Sequence, residues 1–405
     1  MTTAPHRIGA PQPLAQHIGQ MVAVYQAGLA GAAAAGRPDF PWDPSLDISG
    51  LNQPEPAQVA AEVAKRMDAT MAGLHRWQTH PYRRPPCSAP LIWQSGAAKL
   101  FDYTAPETPA NAPAVMVLPS LVNRAYVLDL MPGCSAMARL AGAGLRPFML
   151  DWGAPGPAEA AFDIDDYINL GRAALAQTGP ATVLGYCMGG TLAAGLAARY
   201  PGQINGLVTL GAPWDFAAGG GMRAQLRLAF GQHNGVAAET ALTALAASYG
   251  HIPADVFQSL FAMLNPLAFA RKFRKFATLP DESKAGALFV AVEDWLADGI
   301  AMAAPAARTL LLDWHLHNTP AAGAWHINAK PVQAANIRCP TLVVAGQHDS
   351  IAPAEGALAL AKAVPDAQHR LAPTGHVGLI TSDRVAPPIW RDIGQFIRDA
   401  NSSAT

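Results

Sequence analysis

At 405 residues the chain exceeds the usual domain of roughly 100–150 residues, and its 51% hydrophobic and 14% charged composition supplies ample material for a large core. A net charge of −1 with no run of Lys or Arg excludes nucleic acid and anionic membrane surfaces as charge-driven partners. Cys87, Cys134, Cys187 and Cys339 lack the paired spacing of a zinc site and the density of a disulfide scaffold, which points to a reducing, cytoplasmic compartment.

Residues 21–35 are mostly apolar and end in an alanine run, as the core of a signal peptide does. The run is shorter than the about 20 apolar residues of a membrane span. It contains Gln26, and Arg7 is the only Lys or Arg before it, unlike a compact basic leader. A helix packing an apolar face is therefore expected. Further on come Pro-rich breaks, Pro54-Glu55-Pro56 and Pro85-Pro86. Between them, residues 56–77 form one amphipathic helical pattern, with Val59, Val63, Met67, Met71 and Leu74 at three- and four-residue steps. Pro56 falls in its first turn, where a missing N–H costs nothing.

From about residue 112 the texture changes to short apolar runs between helical segments. The runs are 114–118, 147–150, 182–184, 207–210 and 341–345. Continuous apolar strands separated by helices are what a parallel sheet covered on both faces requires. Between about 217 and 335 that rhythm stops, giving way to glycine-rich turns, helical stretches at 255–269 and 285–296, and a tryptophan-containing piece at 295–325. The expected organisation is a helical N-terminal region over 1–100, an α/β core over 101–216 and 336–405 with a mostly parallel sheet, and a helical cap insertion over 217–335. The chain has no internal repeat.

The chemistry gathers at strand–turn junctions. A strand leads into Gly185-Tyr186-Cys187-Met188-Gly189-Gly190 and then an Ala/Leu-rich helix. This is the nucleophile elbow of the α/β-hydrolase fold, with cysteine in the serine position. A Cβ at Gly185 or Gly189 would collide with the adjacent strand and helix. The turn aims the sulfur into the site and sets a helix N-terminus beneath it, which favours an anionic sulfur. The plainer reading, a small buried cysteine in a glycine-rich turn, does not explain the strand before it and the helix behind it.

The fold requires an acid and then a histidine in chain order. After the run 341–345 comes Gly346-Gln347-His348-Asp349-Ser350, and after a short strand near 369–372 comes Gly375-His376-Val377-Gly378. Asp349 alone could be a helix N-cap ahead of 353–363, and His376 alone an ordinary loop histidine. Together with Cys187 they form an ordered triad, in which His376 takes the thiol proton and Asp349 holds the imidazole tautomer. His348 adjoins the acid and ranks as a loop residue. His315, His317 and His326 sit among aromatic residues with no carboxylate cluster, which suggests packing or contact between cap and substrate; no metal site is expected. An oxyanion hole needs two backbone N–H donors. Met188 is one, and the loop after 114–118 supplies the other, at Val122 or, as the alternative, Leu121.

The text around these positions resembles polyhydroxyalkanoate synthases, most nearly the shorter two-component type. The resembling blocks are Leu118-Pro119-Ser120-Leu121-Val122-Asn123-Arg124-Ala125-Tyr126-Val127-Leu128-Asp129-Leu130, Asp151-Trp152-Gly153, Asp165-Asp166-Tyr167-Ile168, the Cys187 elbow, Val208-Thr209-Leu210-Gly211-Ala212-Pro213-Trp214-Asp215-Phe216 and Met263-Leu264-Asn265-Pro266. The blocks around Asp349 and His376 fit as well, so the likeness runs over residues 113–396. The family places a histidine after the aspartate, whereas here Ser350 follows and His348 precedes. The resemblance implies transfer of (R)-3-hydroxyacyl groups from coenzyme A thioesters to a growing polyester through a cysteine acyl-enzyme, without metal or redox cofactor. It implies Cys187 as nucleophile, His376 as general base, and Asp349 helping to activate the substrate hydroxyl for elongation. As partners it implies a homodimer or a second synthase subunit, and the surface of a polyester granule. Two other readings stand beside it: a hydrolase of the same fold acting on an ester or thioester, and a granule-associated scaffold of weak activity.

Overall fold

A computed structural model describes residues 11–35, 55–219, 221–230 and 235–402; Arg7 and the break residue Pro54 lie outside them. The chain divides into two compact units.

The larger unit comprises Arg84–Leu264 and Asp298–Thr405. Its centre is a sheet of eight strands, numbered here in chain order: β1 Leu91–Ser95, β2 Ala98–Asp102, β3 Ala114–Leu118, β4 Arg146–Asp151, β5 Ala181–Tyr186, β6 Gly206–Leu210, β7 Thr341–Gly346 and β8 Gln368–Ala372. Their order across the sheet is β1-β2-β4-β3-β5-β6-β7-β8. The six strands from β4 to β8 run parallel, and the β1–β2 hairpin adds two antiparallel strands at one edge. Every residue of β3, β5, β6 and β7 is buried. Strands covered on both faces carry uninterrupted apolar runs, which is why each expected run lies within a strand. Because the strands are parallel, the loops leaving β3, β5, β7 and β8 emerge at one end of the sheet, where open α/β sheets form their ligand crevice.

The smaller unit joins Met1–Arg83 to Asn265–Ala297. Its helices span Leu14–Ala35, Pro56–Thr79, Ala268–Ala277 and Lys284–Ala297. Leu74, Trp77, Phe269, Phe273, Phe276 and Val290 form its core, with Phe289 stacked on Phe276 at 4.2 Å. The apolar run at 21–35 belongs to the first helix, where Met21 and Tyr25 pack on Ala270 and Tyr25 accepts a hydrogen bond from Arg274. Buried Glu293 is held by Lys272 at 2.7 Å, the partner a buried carboxylate requires. No helix among the described residues is long and apolar enough to cross a membrane.

Two expected boundaries differ. The helical N-terminal region stops at Arg83 rather than 100, because β1 and β2 fold back through a turn at Gly96 and join the sheet. Leu91 and Ile92 stay exposed on the edge strand, so the segment lacks the buried run or clean alternation that marks an interior strand. The insertion between β6 and β7 is likewise not one cap: its stretch Asn265–Ala297 clusters with the N-terminal helices. The helix expected at 255–269 is two, Ala254–Leu264 and Ala268–Ala277. Pro266 lacks an N–H and drives Asn265 out of helical geometry, which makes the break.

Candidate active site

β5 ends at Tyr186, and the backbone turns at once into the helix Met188–Arg199. Cys187 takes the turn at φ 55° and ψ −132°, a region that costs of order 1–3 kcal/mol for a residue with a side chain. The surroundings enforce it: Cys187 N–H donates to Leu210 O at 3.0 Å, and its carbonyl accepts from Gly190 at 2.9 Å. A Cβ on Gly185 would strike the backbone of Gly189 and Gly190, and one on Gly189 would strike the carbonyls of Leu118 and Pro119. Strand, helix and neighbouring loop thus meet backbone to backbone around a partly exposed sulfur.

The other two side chains come from the loops after β7 and β8. Asp349 is 6% exposed. Its Oδ2 accepts from His376 Nδ1 at 2.6 Å, while Oδ1 accepts from the backbone N–H groups of Ile351 and Ala352, each at 2.8 Å. The alternative reading of Asp349 as a helix N-cap fails, since Pro353 takes that position; Asp349 anchors its own loop and the histidine together. Cys187 is close enough to His376 to act on its protonation. Burial by itself lowers its affinity for a proton, but the Asp349 carboxylate and Cys187 outweigh that and lift its pKa well above the ordinary imidazole value. The Tyr186 ring backs the imidazole at 5.0 Å, and its hydroxyl donates to His376 O at 3.5 Å. The structure therefore pairs His376 with Asp349 by a hydrogen bond and sets Cys187 on the neighbouring strand-end turn.

Of the two expected oxyanion donors, Met188 opens its helix, so its N–H belongs to the first turn, which has no intrahelical acceptor. The Val122 N–H is engaged: it donates to Ser120 Oγ at 3.2 Å. The loop carrying it is held from several sides. Trp152 Nε1 donates to Pro119 O at 3.0 Å, Ile300 N–H donates to Val122 O at 3.3 Å, Asn123 pairs with Gly299 as an antiparallel bridge, and Arg124 meets Asp298 at 3.2 Å.

His348 is exposed, its backbone N–H on Thr374 O. His315 is a packing residue: Nδ1 lies 2.8 Å from Leu310 O, the ring stands edge-on to Phe216, and burial pulls its pKa down to about 4. His317 and His326 are exposed. No group of three or more His, Cys, Asp or Glu among the described residues is placed to hold a metal ion. Sequence reasoning missed Trp152, Tyr186, Ser120 and the strap 298–300. Trp152 stood in a recognisable Asp-Trp-Gly block, but nothing local signals a hydrogen bond to Pro119.

A family model described as alpha/beta hydrolase fold matches residues 119–383. The poly(3-hydroxyalkanoate) polymerase subunit PhaC of Synechocystis sp. is 30% identical over 292 residues, covering 69% of this chain and 75% of that protein. The PhaC subunit of Haloferax mediterranei is 26% identical over 327 residues, 78% of this chain; the match spans 64% of that relative's length. Among solved structures, an alpha/beta hydrolase fold protein from Nakamurella multipartita aligns at TM-score 0.44 and 20% identity, covering 75% of this chain and 96% of that one.

Proposed function

The chain belongs to the polyhydroxyalkanoate synthase family of the α/β-hydrolase fold, and on that premise we propose that it polymerises (R)-3-hydroxyacyl groups from coenzyme A thioesters through an acyl-enzyme on Cys187. The observation that supports this reading is the hydrogen-bonded pair Asp349–His376, from the loops after β7 and β8, beside the strained turn that carries Cys187 at the end of β5.

Each residue has a step. His376 takes the Cys187 proton, and the sulfur attacks the thioester carbonyl. The oxyanion forms against the N–H groups of Met188 and Val122, the latter exchanging its bond to Ser120 for one to substrate. Collapse expels coenzyme A sulfur, which receives the proton from His376, and leaves the acyl group on Cys187. In elongation the hydroxyl at the end of the growing chain gives its proton to His376 and attacks the Cys187 thioester. An ester bond forms, the C–S bond breaks, and the proton returns to the sulfur. Asp349 keeps Nδ1 protonated throughout and stabilises the imidazolium of each half-reaction. A thioester intermediate suits this cycle because it conserves the reactivity of the coenzyme A substrate until the next hydroxyl arrives. No cofactor takes part. The relatives' designation as subunits supports a partner subunit for this chain as well.

Purified protein incubated with 3-hydroxybutyryl-CoA, with and without candidate partner subunits, is expected to release CoA and deposit insoluble polyester. Cys187→Ala is expected to release none. Stoichiometric free 3-hydroxybutyrate with no polymer would sink the polymerase reading in favour of hydrolysis.

A further inference from the structure

The hydrogen bond from His376 to Asp349 holds the imidazole at one atom only, Nδ1. The ring torsion of a histidine is soft, with broad wells, so a single bond leaves the ring free to pivot about it. Something else must fix its plane. Tyr186 touches His376 twice: its ring lies 5.0 Å from the imidazole at an interplanar angle of 34°, and its hydroxyl donates to the His376 carbonyl at 3.5 Å. Tyr186 is 2% exposed, so its ring is an interior wall and not a surface offered to substrate. Burial, and then the nearby Cys187 and Asp349, push its phenol pKa well up, which keeps the hydroxyl a donor.

The backbone under Tyr186 suits it to this task. It is the last residue of β5, in register with Leu210 of β6, and the next residue, Cys187, donates its N–H to Leu210 O at 3.0 Å. Wall and nucleophile therefore stand on one stretch of buried strand, whereas His376 arrives on the loop after β8. Gly211, beside Leu210, limits the imidazole as well. Its N–H is tied to Val344 O at 2.8 Å, and a Cβ placed on it would lie 3.3 Å from His376 Cε1 and Nδ1. We infer that Tyr186 is a positioning residue: its ring fixes the plane of the His376 imidazole and so aims Nε2, the nitrogen Asp349 leaves unused, for proton transfer. The inference rests on the reading of His376 as the base for Cys187. A base must sit within hydrogen-bond reach of the proton it takes, and a misplacement of about 1 Å can cost on the order of a hundredfold in rate.

The test is single-turnover CoA release from 3-hydroxybutyryl-CoA by the wild type, Tyr186→Phe, Tyr186→Leu and His376→Ala. Limiting rate and half-saturating concentration are measured separately, and folding is checked by urea unfolding. Tyr186→Leu removes the flat wall and is expected to lower the limiting rate at least about tenfold, with half-saturation within about twofold, since a buried ring offers substrate no surface. Tyr186→Phe keeps the wall and is expected to hold the limiting rate within about threefold of wild type. Should Tyr186→Leu not fold, Tyr186→Met, whose unbranched side chain fills irregular gaps, is read in its place. A limiting rate unchanged in the Leu or Met variant overturns the inference. So does a loss in Tyr186→Phe as deep as that in Tyr186→Leu, the mark of the hydroxyl and not the ring, or a loss carried by half-saturation alone. Wild-type release that His376→Ala leaves unchanged overturns the reading of His376 as base instead, and the positioning role falls with it.

Discussion

The two sides of the candidate site are held in different ways. On the acid–histidine side, Asp349 satisfies one oxygen within its own loop and the other on His376 of the next, and Tyr186 at the end of β5 backs His376. On the oxyanion side, the loop 119–124 is held by Trp152 at its start and by the strap 298–300 from the insertion. Both sides draw on sequence-distant pairs, but of the two only the loop 119–124 leaves a buried amide oxygen, on Asn123, without a protein donor. Proton-handling groups work best when their supporting hydrogen bonds hold them rigid.

The largest effect that tests this contrast is expected from Asp349→Asn. Elongation, read as polymer formed, should fall at least about a hundredfold, with single-turnover acylation falling less. The same variant removes a leading cause of the raised His376 pKa, so the imidazole should titrate lower by NMR. The sign for stability follows. A histidine whose folded pKa lies above its unfolded value adds stability that is full below the ordinary imidazole range and is lost as pH rises through the folded value. Urea midpoints of wild type and Asp349→Asn should therefore converge as pH is raised through that value. A gap that persists or widens would assign Asp349 a role in loop folding that outweighs its role on His376.

An intermediate effect is expected from Trp152→Phe. Loss of the Nε1 donor leaves Pro119 O unpaired in the interior, a cost of about 1–3 kcal/mol in chemical denaturation. If the oxyanion side depends on outside support, kcat/KM for CoA release should fall with it. Unchanged turnover in a measurably less stable variant would mean that the loop keeps its geometry by itself. The smallest effect is expected from Arg124→Ala. Arg124 and Asp298 are partly exposed, and such pairs contribute below about 1 kcal/mol, further reduced by salt. A rate loss matching that of Trp152→Phe would shift control of the loop to the strap.

What could be read from residues alone was what a local pattern encodes. The continuous runs of β3, β5, β6 and β7 announce strands buried on both faces, and Gly185 and Gly189 announce a turn with no room for a Cβ. The expected pairing of Asp349 with His376 is seen as a hydrogen bond between the loops after β7 and β8. The rest depends on partners remote in sequence. Nothing near Val122 indicates that its N–H is on Ser120, nor near Asn123 that it pairs with Gly299. Phe269, Phe273 and Phe276 give the helix Ala268–Ala277 a plain apolar face, but a face does not name its partner, here Leu74 and Trp77. The β1–β2 hairpin was missed for a related reason, since an edge strand buries too little to leave a clean pattern.

β6 and β7 are hydrogen-bonded neighbours, with Leu207 opposite Thr341, although the whole insertion lies between them in the chain. Because the two strands run parallel, the chain leaves β6 at its carboxyl end and re-enters β7 at its amino end, a crossover whose closing cost grows only with the logarithm of its length. The same arrangement makes the β6–β7 pairing a contact of high sequence separation, which can form only after the intervening passage has been synthesised.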